Sequence, residues 1–533
     1  MKRRVIVLGT VVCSLSLVLA AQFAPVASSA TRPRGSAAAP RSAAEALRLY
    51  GYLVGNRAEY NRLKAEAAAR AARLHPRANP RANVAVPVAG PSWQGVDEND
   101  LAPPDTTGAM GPVSYIEAIN LQLAMYNRAG SFQAGTRAET MCGGSHFNWS
   151  DPQIMFDTSS QRFVGEFLNV NTNTLCVFFS KTNRPAGLSS SDWCPYNMNF
   201  GWGSLLPDYP KLGSTSDFWL FGVNKYLNFS IFEGSDVAWM TKPGPGQIQT
   251  CPAQSSFMTG KSANLLSEDM TLASTPEPAK QTDQSSTGWI VAVPDPTNDC
   301  AAAAKLEIYR VTKNPDGTAN IQTVGTPVAV PSYTCPPNAP QGGAHLIDTL
   351  DGRLLNAMSG ADPDHGGALA LWTAHAVFGG AGSESRWYEI DVANATLFQM
   401  GTITNPNLYV FNPGVSSDRA AGGTVHVFGN SMVAGFTTSG VSAFPAVQMV
   451  SKIGANPQSA FVLVKQSPGP DEGFDCFQLG FCRWGDYAGA SPEPLPPTFI
   501  QPTGKVWLTN EWDNGLTNPS AATWRTWNWR ATP

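Results

Sequence analysis

Downstream of residue 93 the apolar residues fall into short runs, each set off by Gly, Pro or paired polar residues. Such runs at 115–119, 163–168, 175–180, 219–223, 289–293, 306–311, 369–372, 506–508 and 524–529 predict strands, and no sustained helical periodicity interrupts them. A larger period overlies the small one. Five times a polar cluster precedes a strand-like run, a turn and an apolar strand: Asp151-Pro152 before Arg162-Phe163-Val164, Asp208-Tyr209-Pro210 before Asp217-Phe218-Trp219, His345 to Asp348 before Arg353-Leu354-Leu355, Asn407 to Asn412 before Thr424 to Val427, and Asp486-Tyr487 before Lys505-Val506-Trp507. A repeat of roughly 50–70 residues built on hairpins predicts an all-β radial array, a β-propeller of six or seven four-stranded blades. A pair of β-sandwiches is the competing architecture, but the repeats run nearly to the C-terminus without a linker.

The first 92 residues follow other rules. Lys2-Arg3-Arg4, the apolar run 5–21 and the small residues Ser28 and Ala30 have the order of a secretory signal over residues 1–30. Residues 31–92 form a basic, Ala- and Arg-rich arm. Within it Leu49, Leu53, Tyr60, Leu63, Ala67, Ala71 and Leu74 share one helical face, and Ser42 with Glu45 has capping-box spacing. The flanks at 31–41 and 75–91 have linker composition. The expected organisation is a signal at 1–30, a short helical arm at 31–92 and a propeller at 93–533, with the arm's helix packed on the propeller as a surface element.

Composition places the chain outside the cytoplasm. Beyond the signal there are eight cysteines, an even number with no paired Cys-x-x-Cys, as expected for four disulfides rather than zinc, and Cys476 with Cys482 is the natural local bridge. The arm carries a net charge of +8 and the remainder from residue 93 about −15. An acidic propeller is a poor nucleic-acid ligand, because it lacks the basic face that releases counterions. No later apolar stretch has the length of a membrane span.

Asp105-Thr106-Thr107-Gly108-Ala109-Met110-Gly111-Pro112 with Tyr115, then Asp151-Pro152 with Phe156-Asp157, Asp208-Tyr209-Pro210-Lys211-Leu212-Gly213 and Arg483-Trp484-Gly485-Asp486-Tyr487, resemble a family of exported bacterial β-propeller proteins of largely unassigned function, loosely grouped with sialidase-like propellers. The resemblance runs from about Trp93 to Trp529 and implies the propeller fold. It supplies no catalytic residue. Asp-box repeats are missing, the nearest remnant being Ser214 to Trp219, and no arginine triad for a sugar carboxylate is assignable, so sialic acid is unsupported.

Residues just before the innermost strands of a propeller converge near the channel on its usual ligand face. Asp105, Asp151, Asp208 and Asp486, with His345 and Asn412, are therefore expected to form a ring bordered by Tyr209, Tyr487, Arg483 and Trp484. Clustered carboxylates push one another's pKa values apart, as paired acid and base or nucleophile require in glycoside hydrolysis. The four aspartates are the candidate catalytic residues. The opposing structural reading is that each carboxylate only accepts backbone N–H bonds at a strand entry. No cofactor is evident; calcium is a second occupant of the ring, while the oxygen-rich loops Asp362-Pro363-Asp364 and Asp97 to Asp100 lack EF-hand spacing and are expected to be solvated turns. A Gly-x-Ser-x-Gly elbow, a zinc helix, a phosphate loop and a dinucleotide fingerprint are absent. Trp219, Trp289 and Trp507 are expected in the inter-blade core, and Trp149, Trp202, Trp484 and Trp512 nearer the loops. Two functions follow as expectations: a secreted carbohydrate-active hydrolase or lyase with its site on the entry face, or a non-catalytic secreted propeller that holds a glycan, cell-envelope polysaccharide or protein there.

Overall fold

The computed structural model describes residues 53–74, 85–244, 246–294, 300–419, 428–494 and 504–533. The expected signal at 1–30, the capping box at Ser42, most of the linker positions and the run 424–427 lie outside them. Seven sheets form the blades of a β-propeller, antiparallel throughout except where Lys280–Gln281 pairs in parallel with Leu354–Asp362 in the fifth. Their innermost strands are Thr107–Met110, Trp149–Asp157, Leu206–Ser214, Ser274–Pro278, Leu354–Asp362, Tyr409–Ser417 and Gly489–Pro492. These strands are almost wholly buried, since each faces the channel on one edge and packs between neighbouring blades. Every run predicted as a strand lies in one.

The seventh blade is made from both ends of the chain. Val88–Gln94 pairs antiparallel with Trp524–Thr532, Val88 opposite Thr532 and Trp93 opposite Asn528. This corrects the boundary expected at residue 93: it falls inside a strand of the ring, hidden from periodicity by Gly90 and Pro91. Between blades the core is aromatic. Trp219 packs with Phe179 and Met240, Trp372 and Trp387 with Val410 and Met432, and Trp93 with Tyr115 and Trp507. Each buried aromatic stabilises the ring by about 2–3 kcal/mol. The approach of blades 3 and 4 is closer than a side chain allows, because a Cβ on Gly222 would stand 2.1 Å from the Pro276 carbonyl oxygen.

Four inner strands share one local device. Asp151, Tyr209, Thr275 and Asn412 have φ between 51° and 58°, each precedes a proline, and each sits at a register shift in its strand. A left-handed residue inside a strand makes a bulge and leaves a backbone N–H turned out of the ladder. The neighbouring blade receives it: Asp151 N donates to Asn120 Oδ1 (2.8 Å), Tyr209 N to Asp151 Oδ2 (3.3 Å) and Thr275 N to Asn224 Oδ1 (2.7 Å). At the closing blade Asp486 N donates to Asp105 Oδ1 (2.9 Å).

Four disulfides join Cys142 to Cys176, Cys194 to Cys251, Cys300 to Cys335 and Cys476 to Cys482. They fit an oxidising compartment. No helix among the described residues is long and apolar enough to cross a membrane. Helix α1, Arg57–Ala71, is capped by the Asn56 side chain accepting from Glu59 N (3.1 Å) and buries Tyr60, Ala67 and Ala71.

Candidate functional site: a sealed ring and an open cleft

The strand entries bring the predicted aspartates together, Asp151 and Asp208 at bulges and Asp105 and Asp486 just before the inner strands of blades 1 and 7. Asp105, Asp151, Asp208 and Asp486 all lie at the channel mouth, and each has at most 4% of its surface exposed. Burial is the main force on them. It raises the Asp105 and Asp208 carboxyls well above their ordinary range, with Asp151 adding repulsion to both, raises Asp151, and pushes Asp486 up to about 6. Tyr209 and Tyr487 stack with centroids 4.8 Å apart; Tyr487 Oη donates to Asp151 Oδ2 (3.1 Å) and Tyr209 Oη to the Asp486 carbonyl (2.6 Å).

Cations fill what the carboxylates would otherwise offer to a ligand. Arg483 grips both oxygens of Asp486 (2.7 and 2.8 Å), and Arg353 grips both of Asp351 (2.8 Å each). Lys211 stands 3.2 Å from Glu277 and lies over the rings of Tyr209 (3.8 Å) and Tyr487 (4.1 Å). Lys211, Arg353 and Asp351 escaped sequence reasoning. Lys211 follows the bulge at Tyr209-Pro210, where strand alternation no longer fixes the side a residue faces, so the sequence held no signal for it. The same three cations meet the charge on which a calcium ion in the ring would depend.

The N-terminal segment closes the ring from above. Leu53 N donates to Asp208 Oδ2 (3.4 Å), and the Leu53 carbonyl accepts from Tyr226 Oη (2.9 Å) and Arg353 (3.5 Å). Leu53, Val54 and Tyr60 are buried, Val54 and Tyr60 in one cluster with Tyr209 and Tyr487. From α1, Lys64 Nζ donates to the Leu350 carbonyl (2.6 Å) and faces Asp348 (3.8 Å). The helix thus packs on the propeller as expected, and covers the ring rather than lying to one side.

Of the bordering residues, Trp484 is a core side chain whose Nε1 donates to Thr437 (3.1 Å), and the Asn412 amide pairs with Asn510 (3.1 Å). His345 is half-buried and bonds Glu472 (2.5 Å), beside Phe477 and with no ring member among its partners. Trp202 is buried on Asp236 and Trp512 on the Thr526 carbonyl, so only Trp149 of the loop-proximal tryptophans borders open space.

That space is a cleft of about 640 Å³ on the same face, over blades 7, 1 and 2. Asn99 and Asp100 stand on one wall, Trp149 and Ser150 on another, and Asp105 touches its floor. Phe147 presents an apolar face with 56% of its surface exposed. The loop beginning at Asp97, expected to be only a solvated turn, supplies the wall. It was unreadable as such because its partners come from residues 147–150 and 474–520.

No family model and no curated protein matches the sequence. Solved structures resemble the fold distantly. The Dos1 propeller aligns at 12% identity over 84% of this chain and 95% of its own, with a TM-score of 0.36. A sialidase from Trypanosoma rangeli aligns at 8% identity over 83% and 60% (TM-score 0.35), and an exo-β-1,3-galactanase from Clostridium thermocellum at 9% over 68% and 83% (TM-score 0.32). The neighbours are β-propellers, carbohydrate-active ones among them.

Proposed function

We propose that this is a secreted carbohydrate-binding propeller whose ligand lies in the cleft over blades 7, 1 and 2, not in the aspartate ring. The observation that carries the reading is the contrast between the two places. The ring's carboxylates are buried and occupied by hydrogen bonds, Asp486 by Arg483, and the ring is covered by residues 53–64, whereas the cleft is open and pairs an exposed aromatic face with short amide, carboxylate and hydroxyl groups. A sugar needs both: an apolar ring face to lie on and donors and acceptors for its hydroxyls. The disulfides and the signal-like N-terminus support an extracellular setting.

Hydrolysis in the same cleft is the second reading, favoured by Asp105. Its carboxyl touches the cleft and is shifted upward by burial, the direction a general acid requires. A panel of soluble plant, fungal and bacterial polysaccharides in affinity gels, with reducing ends assayed in parallel, tests both. Retardation by at least one polysaccharide is expected, weakened at least fivefold by Phe147→Ala and without release of reducing ends. Retardation indifferent to Phe147→Ala would remove the site from the cleft, and release of reducing ends abolished by Asp105→Asn would establish the second reading instead.

A further inference from the structure

On the opposite face, the inner strand of blade 5 ends at Asp362, and a single turn at Pro363–His365 follows. His365 Nδ1 meets Asp362 Oδ2, while Asp362 Oδ1 accepts from Asp364 N (2.9 Å) and caps the turn. Glu389, on Gly382–Asp391 of the same blade, is fully buried behind them. One donor atom from each of Asp362, His365 and Glu389 falls within 4.8 Å of the others.

Two carboxyls in this position leave a hydrogen-bond deficit. Glu389 Oε2 accepts from Gln399 (2.5 Å), but among the described residues no donor reaches Oε1, and the Glu389 and Asp362 carboxyls stand within hydrogen-bonding reach of each other. Two acceptors face one another beside the His365 edge; Lys452 acts on Glu389 through its charge, but its ammonium donates to the Gly454 carbonyl and not to either carboxyl. A buried acceptor without a donor keeps the full cost of its lost hydration. A divalent cation would satisfy both carboxyls and the imidazole together.

We propose that Asp362, His365 and Glu389 form a binding site for a divalent transition-metal ion, of which Zn²⁺ is the representative. The choice of metal follows from the donors: one imidazole and two carboxylates suit zinc and its neighbours, while calcium asks for six to eight oxygens, which this corner does not offer. Asp362 and Glu389 are rigidly placed by their strands. His365, 38% exposed along its side chain and stacked on Phe398 at 3.8 Å, is the ligand that admits the ion from solvent. Three protein donors leave a fourth position for water or an exchangeable ligand.

The test uses the full chain after chelator treatment and dialysis, titrated calorimetrically with Zn²⁺ and separately with Ca²⁺. One Zn²⁺ per chain is expected, bound at least tenfold more tightly than Ca²⁺. Glu389→Gln and His365→Ala should each weaken Zn²⁺ binding at least tenfold while circular dichroism shows the folded spectrum; the histidine variant, at a partly exposed site, guards against a folding defect in the other. Asp364→Asn, outside the triad, should leave the affinity unchanged. Absence of saturable Zn²⁺ binding would overturn the proposal in favour of a proton shared by the two carboxyls. So would Zn²⁺ binding that survives both triad variants, or a preference for Ca²⁺.

Discussion

Asp208 and Asp486 stand in the same ring and answer to different forces, so the same substitution should separate them. Asp486→Asn takes away one of the two oxygens that accept from Arg483 and leaves a buried donor short of a partner, a loss of about 1–3 kcal/mol. Asp208 accepts the Leu53 N–H, a bond that an asparagine oxygen keeps, and should change by less than about 1 kcal/mol as asparagine. Chemical denaturation of both variants checks this, and equal losses would contradict it. The pH dependence of Asp486 has a definite sign. Its folded pKa of about 6 lies above that of an unfolded chain, so the folded state holds the extra proton in between. The stability due to this group is present in acid and lost as pH rises through about 6. The wild type should therefore gain on Asp486→Asn as the pH is lowered from about 7.5 to about 5. At Gly222 alanine meets the Pro276 carbonyl, and a loss of at least about 3 kcal/mol is expected in the same assay.

The polar residues at the strand entries were legible because they recur with Pro and Tyr beside them. Their role was not, because burial and counter-charge arrive from far along the chain: Leu53 reaches Asp208 across 155 residues, and Asp105 reaches Asp486 across 381.

Among the elements, the strands of the blade interiors were read correctly, since apolar runs bounded by turn residues record burial on both faces. Val88–Gln94 was not, because only Trp93 of its residues is buried, and an outer strand carries little pattern. Two truncations distinguish it from α1. A chain beginning at residue 85 keeps every blade and should melt cooperatively, at a lower temperature because Leu53, Val54 and Tyr60 no longer cover the ring. A chain beginning at residue 95 lacks the strand paired with Trp524–Thr532 and should lose the cooperative transition. Differential scanning calorimetry reads both, and matching melts would deny Val88–Gln94 its closing role.

For the molecule as a whole, the four disulfides stay within neighbouring parts of the ring, closing loops of 34, 57, 35 and 6 residues. Unfolded but unreduced protein should accordingly bind no thiol reagent at the eight cysteines beyond the N-terminal apolar run. Reduction should cost most at the Cys194–Cys251 bridge, about 4 kcal/mol on chain-entropy grounds, as a Cys194→Ala, Cys251→Ala pair would measure. Blade number was bounded by the length of the repeat. The seventh blade could be counted only once its two separated parts were seen together.

Closure by the two ends of the chain also orders events during synthesis. Val88–Gln94 leaves the ribosome early, and its partner Trp524–Thr532 is added about 430 residues later. Throughout that interval the growing chain is an open arc with an unsatisfied edge, the condition in which strands pair with the wrong neighbour. Premature release of a chain lacking Trp524–Thr532 would thus yield a persistent association hazard rather than a slightly smaller propeller.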